Sequence, residues 1–169
     1  MISVRISKVV LAAGVGLFAL LSGLTNVVDY ETNWRFLQAV MSMEDVGQDP
    51  DASWRAVTNP ILQRTAFGLI IIFQLLTGLA FLGAAFAMGK CAAATRARFR
   101  RAKALVPVGI SLGFLVWFFG FVVIGGEWFQ MWRSDGWNGQ PAAFFYYATM
   151  LLVGIYVLLE NDGEVSTQL

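Results

Sequence analysis

Residues 66–89 read AFGLIIIFQLLTGLAFLGAAFAMG, a stretch without a single Asp, Glu, Lys or Arg. A helix rises about 1.5 Å per residue, so about 20 apolar residues cross a hydrocarbon core of about 30 Å. This segment therefore reads as a transmembrane helix. Three further stretches meet the same test and are equally free of charge: about Val9 to Val28, Leu105 to Gly125 and Ala142 to Leu159. The whole chain has the matching composition, with 57% hydrophobic and 14% charged residues and a mean hydropathy of +0.64. Soluble domains carry about 25% charged residues, so this surface is built for lipid. The expectation is one integral membrane domain over residues 1–169, an all-α four-transmembrane-helix bundle.

Local signals set the helix boundaries. Asn59-Pro60 can cap and start the second helix before it enters lipid, because proline at the first helical position gives up no needed hydrogen bond. That helix would carry Gln63 and Arg64 at the interface. Pro107 and Pro141 fall in the opening turns of the third and fourth spans, and Gly89 followed by Lys90 suits the end of the second. Arg5 and Lys8 precede the first span as in a signal peptide. Its apolar run of about 20 residues is too long for one, and Leu21-Ser22-Gly23 is a poor cleavage site, so it reads as a retained helix.

Lys and Arg in the flanks orient the bundle. Arg5, Lys8, Lys90, Arg96, Arg98, Arg100, Arg101 and Lys103 lie on one side; Arg35, Arg55, Arg64 and Arg133 lie on the other. Both termini and the basic loop are expected in the cytoplasm, and loops 29–65 and 126–141 outside. The run from Arg96 through Arg98, Arg100 and Arg101 to Lys103 is expected to contact anionic headgroups.

Several chemistries are excluded. The chain has no histidine, which removes His-ligated haem, His-containing metal sites and Ser–His or Cys–His nucleophile pairs. A single cysteine, Cys91, allows no intrachain disulfide or CxxC pair. A net charge of +1 suggests no nucleic-acid partner. The expectation is a protein without catalytic activity, cofactor or metal, whose partners are membrane lipids and other integral membrane proteins or a second copy.

The outer loops hold the polar interest. Trp34, Trp54, Trp128, Trp132 and Trp137 all lie there. They read either as an interfacial aromatic belt or as a structured cap whose rings pack together or clamp a lipid or quinone headgroup. From Thr32, the spacing of Trp34, Leu37, Val40 and Met41 predicts a short amphipathic helix at the interface. Asp51 or Ser53 could cap a second. Asp29-Tyr30-x-x-x-Trp34-Arg35 is echoed by Glu127-Trp128-x-x-x-Trp132-Arg133, which would let acid and arginine pair across two repeats. Glu127 follows Gly125-Gly126, where a sharp turn is expected, and is itself expected to pair with Arg35, Arg55, Arg133 or backbone N–H groups. Within the spans, Gln74 is expected to bond a neighbouring helix, since an amide in hydrocarbon needs a partner. Gly109-x-x-x-Gly113 is a small-residue motif for close helix packing.

Asn26-Val27-Val28-Asp29-Tyr30-Glu31-Thr32-Asn33, Phe36 and Met41-Ser42-Met43 together resemble the first-loop pattern of a bacterial family of predicted small integral membrane proteins, domain of unknown function 2165. Trp54-Arg55-Ala56, Trp117-Phe118, the run from Gly125 to Trp132 and Trp137-Asn138-Gly139-Gln140 fit the same pattern in order. The resemblance implies four helices and a bacterial inner membrane, and it brings no activity. Three function classes follow: an accessory or structural subunit of a larger membrane complex first, a lipid- or quinone-binding module beside a redox enzyme second, and a small channel or transporter third.

Overall fold

The computed structural model describes residues 2–47 and 49–163. Four helical crossings account for the bundle, and no strand occurs among the described residues. The first is α1 (Ile2–Val28); α2 (Tyr30–Met41) follows it after Asp29 alone. The second crossing is α3 (Pro60–Lys90). A short α4 (Arg96–Ala102) leads into α5 (Leu105–Gly113), which continues as a π-helical segment over Phe114–Trp128 to make the third. The fourth is α6 (Gln140–Leu158). The amino terminus, the α3–α4 connection and the end of α6 share one end, here the basic end. Loops 29–59 and 129–139 form a cap at the other.

The boundary signals operate as physics requires. Asn59 Oδ1 accepts from the backbone N–H groups of Ile61 at 2.9 Å and Leu62 at 3.3 Å, which satisfies two donors that the first turn leaves free. The expected amphipathic helix is α2; it buries Trp34, Ala39, Val40 and Met41. Around Ser53 the chain makes one 3-10 turn, Ser53–Arg55.

The closest helix pair is α1 against α3. A Cβ on Gly78 would lie 2.6 Å from the backbone N of Leu20, and one on Gly16 would lie 2.8 Å from that of Leu82. Here glycine lets two backbones touch, the main source of helix affinity in lipid. Gly109 and Gly113 also pack within the chain, against Phe81 and Met150. The main core gathers Ala12, Ala19, Phe81, Met88, Trp117 and Met150, and a smaller one in the cap gathers Val40, Met43, Val46, Phe129 and Met131.

Two expectations need correction. The chain does not turn at Gly125-Gly126; the π-helical segment runs through both, and their missing side chains make room for Met131 and Gln140. The turn comes at Gln130, which adopts a left-handed conformation with φ 52°. The two halves of the Asp-Trp-Arg echo also differ in structure. Residues 30–41 are helical, whereas after Trp128 the chain has only the 3-10 turn Met131–Arg133. The echo brings no acid of one copy onto the arginine of the other among the described ion pairs: Arg35 pairs with Glu44 at 2.6 Å and Arg133 with Asp49 at 3.0 Å.

Candidate functional site

The basic end is closed by buried charge. Arg5 and Lys8, on the first turns of α1, are 0% exposed, Lys103 is 3% exposed and Asp162 is 1% exposed. Asp162 receives Lys8 Nζ at 2.7 Å on one oxygen and Lys103 Nζ at 2.6 Å on the other. Both ammonium groups also donate to the carbonyl of Leu159. Arg5 donates to four carbonyls, those of Ala92, Ala94, Asp162 and Gly163, with its guanidinium 5.0 Å from the Phe99 ring. The segment after α6 is thereby clasped to α1, to the α3–α4 connection and to the start of the third crossing. Burial pushes the Asp162 carboxyl up, but hydrogen bonds from Lys103 and Lys8 outweigh it and hold the group below its ordinary value.

This cluster changes the reading of Lys103, whose ammonium faces the protein interior rather than headgroups. The other basic residues of that loop stay at the surface, where Arg96 at 3.7 Å and Arg100 at 3.4 Å approach Glu160, and Arg98 and Arg101 are exposed.

At the opposite end the cap is knit by polar contacts between its two loops. Arg133 pairs with Asp49, Ser134 Oγ donates to Asp45, and the Arg35 guanidinium lies 5.5 Å from the Trp137 ring centre. The hydrogen bond from Arg133, helped by the Asp51 N–H, holds the Asp49 carboxyl below its usual value. Trp34 packs against Tyr30 and Phe67, and Trp137 against Phe36. Trp54 and Trp128 meet edge to face at 5.6 Å yet remain 68% and 46% exposed, and Trp132 is 56% exposed. The tryptophans thus divide between a packed cap and an exposed aromatic rim.

Glu127 does not tie the loops through its carboxylate. The side chain is exposed and joins no ion pair among the described residues; Arg55 Nη1 reaches its backbone carbonyl at 3.5 Å. Arginines of the cap pair with other acids, Arg35 with Glu44 and Arg133 with Asp49. Among the described residues Asp29 likewise meets no arginine, and it accepts from the Thr32 hydroxyl at 2.8 Å. Arg55 Nε is buried without a partner among the described residues.

Beneath the cap, α3 and the π-helical segment part and leave a cavity of about 460 Å³. Every residue lining it is apolar or glycine, with Phe36 and Met41 as roof, Ala66 and Phe73 on one wall and Val116 and Gly120 on the other. Leu69, Leu115, Phe119 and Ile124 at its rim are 39–47% exposed, so it opens sideways where lipid chains would lie. A shallower hollow shares Met41, Ala66, Ile124 and Phe129 with it and adds Glu127 and Trp128, so the apolar space leads up to polar side chains. On the far side of Phe121, Gln74 Oε1 accepts from Asn26 Nδ2 at 2.6 Å, joining α3 to α1.

Sequence reasoning missed Asp162 and the cavity. A signal for the first was present in the sequence: the segments expected at the basic end up to Lys103 carry eight basic residues and no acid, while the last ten residues of the chain carry three acids, Glu160, Asp162 and Glu164, and no base. Nothing in the run from Phe114 to Trp128 announces π-helical winding.

The model of a family described as predicted small integral membrane protein, domain of unknown function 2165, matches residues 4–160, and the chain belongs to that family. No curated protein and no solved structure matches the chain.

Proposed function

We propose that this small integral membrane protein is a lipid-binding module of the bacterial inner membrane, without catalysis of its own. The observation that carries this reading is the cavity between α3 and the π-helical segment. Its volume of about 460 Å³ lies within the range of about 300–1,000 Å³ common to small-molecule sites. Its wholly apolar wall suits a hydrocarbon chain, and its sideways opening admits one from the bilayer. Glu127 and Trp128 stand at the adjoining hollow, where a lipid headgroup would come to rest. π-Helical winding is rare and is frequently found at functional sites. The distribution of Lys and Arg supports cytoplasmic termini, and with that orientation the cavity lies in the outer leaflet.

Native mass spectrometry of the full chain released from mild detergent tests the reading. Wild-type protein should retain about one lipid per chain, and Ala66→Phe, which fills the cavity from its α3 wall, should lose it while melting normally. The same retained lipid in both proteins would refute the assignment. A second reading, an accessory subunit of a larger membrane complex, is favoured by the exposed rim of Trp54, Trp128 and Trp132, since aromatic residues are enriched at interfaces. Mass spectrometry of co-purifying membrane proteins, with and without Trp54→Ala, checks that reading.

A further inference from the structure

A second cavity, of about 410 Å³, shares only Phe121 with the chain cavity and differs in chemistry. It opens between α1 and α6, with Gln74 of α3 and Trp117 of the third crossing among its lining residues. Gln74 is 5% exposed. Its bond to Asn26 uses its carbonyl; the Gln74 NH2 and the Asn26 carbonyl have no hydrogen-bond partner among the described residues. Among the described residues the one sealed side-chain polar atom without a partner is Arg55 Nε, so the Gln74 nitrogen is not sealed in protein, and Gln74 lines the cavity. The Tyr146 hydroxyl, also at this cavity, has no partner among the described residues. An amide left open in a membrane protein is costly unless something from the bilayer side satisfies it.

The remaining surroundings narrow what that something is. Phe18 lies 4.7 Å from Tyr146 and 5.8 Å from Trp117, and Trp117 lies 6.4 Å from Tyr146, ring centre to ring centre. No charged side chain lines the cavity, so nothing there compensates an anionic or cationic ligand. Gln74 stands 16 residues before Lys90, about 24 Å along the axis from the basic end, which puts it in the leaflet on the cap side. The fitting ligand is neutral and lipid-soluble, accepts a hydrogen bond and has a flat face to pack on aromatic rings.

We propose that this groove binds the ring of a lipid-soluble quinone. Gln74 Nε2 donates to a ring carbonyl, the hydroxyls of Tyr146 and Thr25 are further available donors, and Phe18 and Tyr146, backed by the buried Trp117, pack the ring. An ester lipid offers carbonyl acceptors without the flat face. The proposal adds a ligand class and a site to the lipid-binding reading and uses a different cavity, so either can fail alone.

The test uses the full chain in lipid nanodiscs with a photoreactive azidoquinone, with labelled peptides mapped by mass spectrometry. Labelling should fall within 18–26 and 139–147 and be competed by decylubiquinone but not by added diacylglycerol. Gln74→Leu should weaken competition about tenfold, the scale of one buried hydrogen bond. Ala142→Trp, a substitution at an exposed lining position, should block labelling without touching a buried polar group. Ala66→Phe should leave labelling unchanged. Labelling that decylubiquinone does not compete, that diacylglycerol competes equally, or that persists in folded Ala142→Trp overturns the proposal.

Discussion

Replacing Asp162 by Asn keeps the shape of the side chain and removes the only carboxylate that reaches Lys8 and Lys103 among the described residues. Both lysines are at most 3% exposed, so neither can recruit water when the partner goes. Breaking a buried ion pair from one side costs about 3–5 kcal/mol, because a charge is left desolvated and unpaired. For a chain of this length each kcal/mol moves the melting temperature by about 2–4 °C, so Asp162→Asn should melt about 6–20 °C lower. Tryptophan-fluorescence melting in detergent at pH 7 reads this directly. Glu160→Gln is the control: that acid is 62% exposed, and surface pairs contribute about 0–1 kcal/mol, so its shift should stay below about 4 °C. Removing the whole cluster, as Lys8→Met, Lys103→Met and Asp162→Leu together, should recover most of the loss. The pH dependence has a definite sign. The Asp162 carboxyl is held below its ordinary value of 3.8, so on acidification the unfolded chain takes up its proton first. The stabilisation is complete above that value and is lost as pH falls below it. An Asp162→Asn protein melting within about 2 °C of wild type would refute the clasp.

Three further outcomes are expected. Gly78→Ala would drive a Cβ against the backbone of Leu20 and should cost about 1–3 kcal/mol or more in thermal melts, whereas Gly68→Ala, with nothing within 4 Å, should be neutral. Glu127→Ala removes an exposed carboxylate without an ion pair and should change stability by no more than about 0.5 kcal/mol. Reporter fusions should give phosphatase activity at Asp135 and none at Lys103; the reverse pattern would invert the assigned topology.

The four crossings were legible because lipid imposes a length and an absence of charge that a sequence displays directly, and Asn59-Pro60 displays its own cap. The α2 helix was legible for a similar reason, since Trp34, Leu37, Val40 and Met41 repeat at a helical spacing. What escaped is what depends on partners distant in sequence. Lys8 and Lys103 look alike as flanking charges whether they meet headgroups or Asp162, and only the return of the chain after α6 decides between them. Glu127 misled because proximity along the chain to Trp128 and Phe129 implied burial, whereas of the three only Phe129 is buried and Glu127 is exposed. The apolar cavity lies between the π-helical segment and α3 and is lined by residues of both. An unbroken run such as Phe114–Val123 satisfies i→i+4 and i→i+5 hydrogen bonding equally well as a pattern, so the choice rests on packing against α3, α6 and the cap. The bond from Phe129 N–H to the Ile124 carbonyl, at 3.0 Å, carries that wider winding to the left-handed Gln130, and there the third crossing ends. The fold is therefore written in hydropathy, while the sites that distinguish this chain are written in the few places where charge, amide and helix winding depart from it.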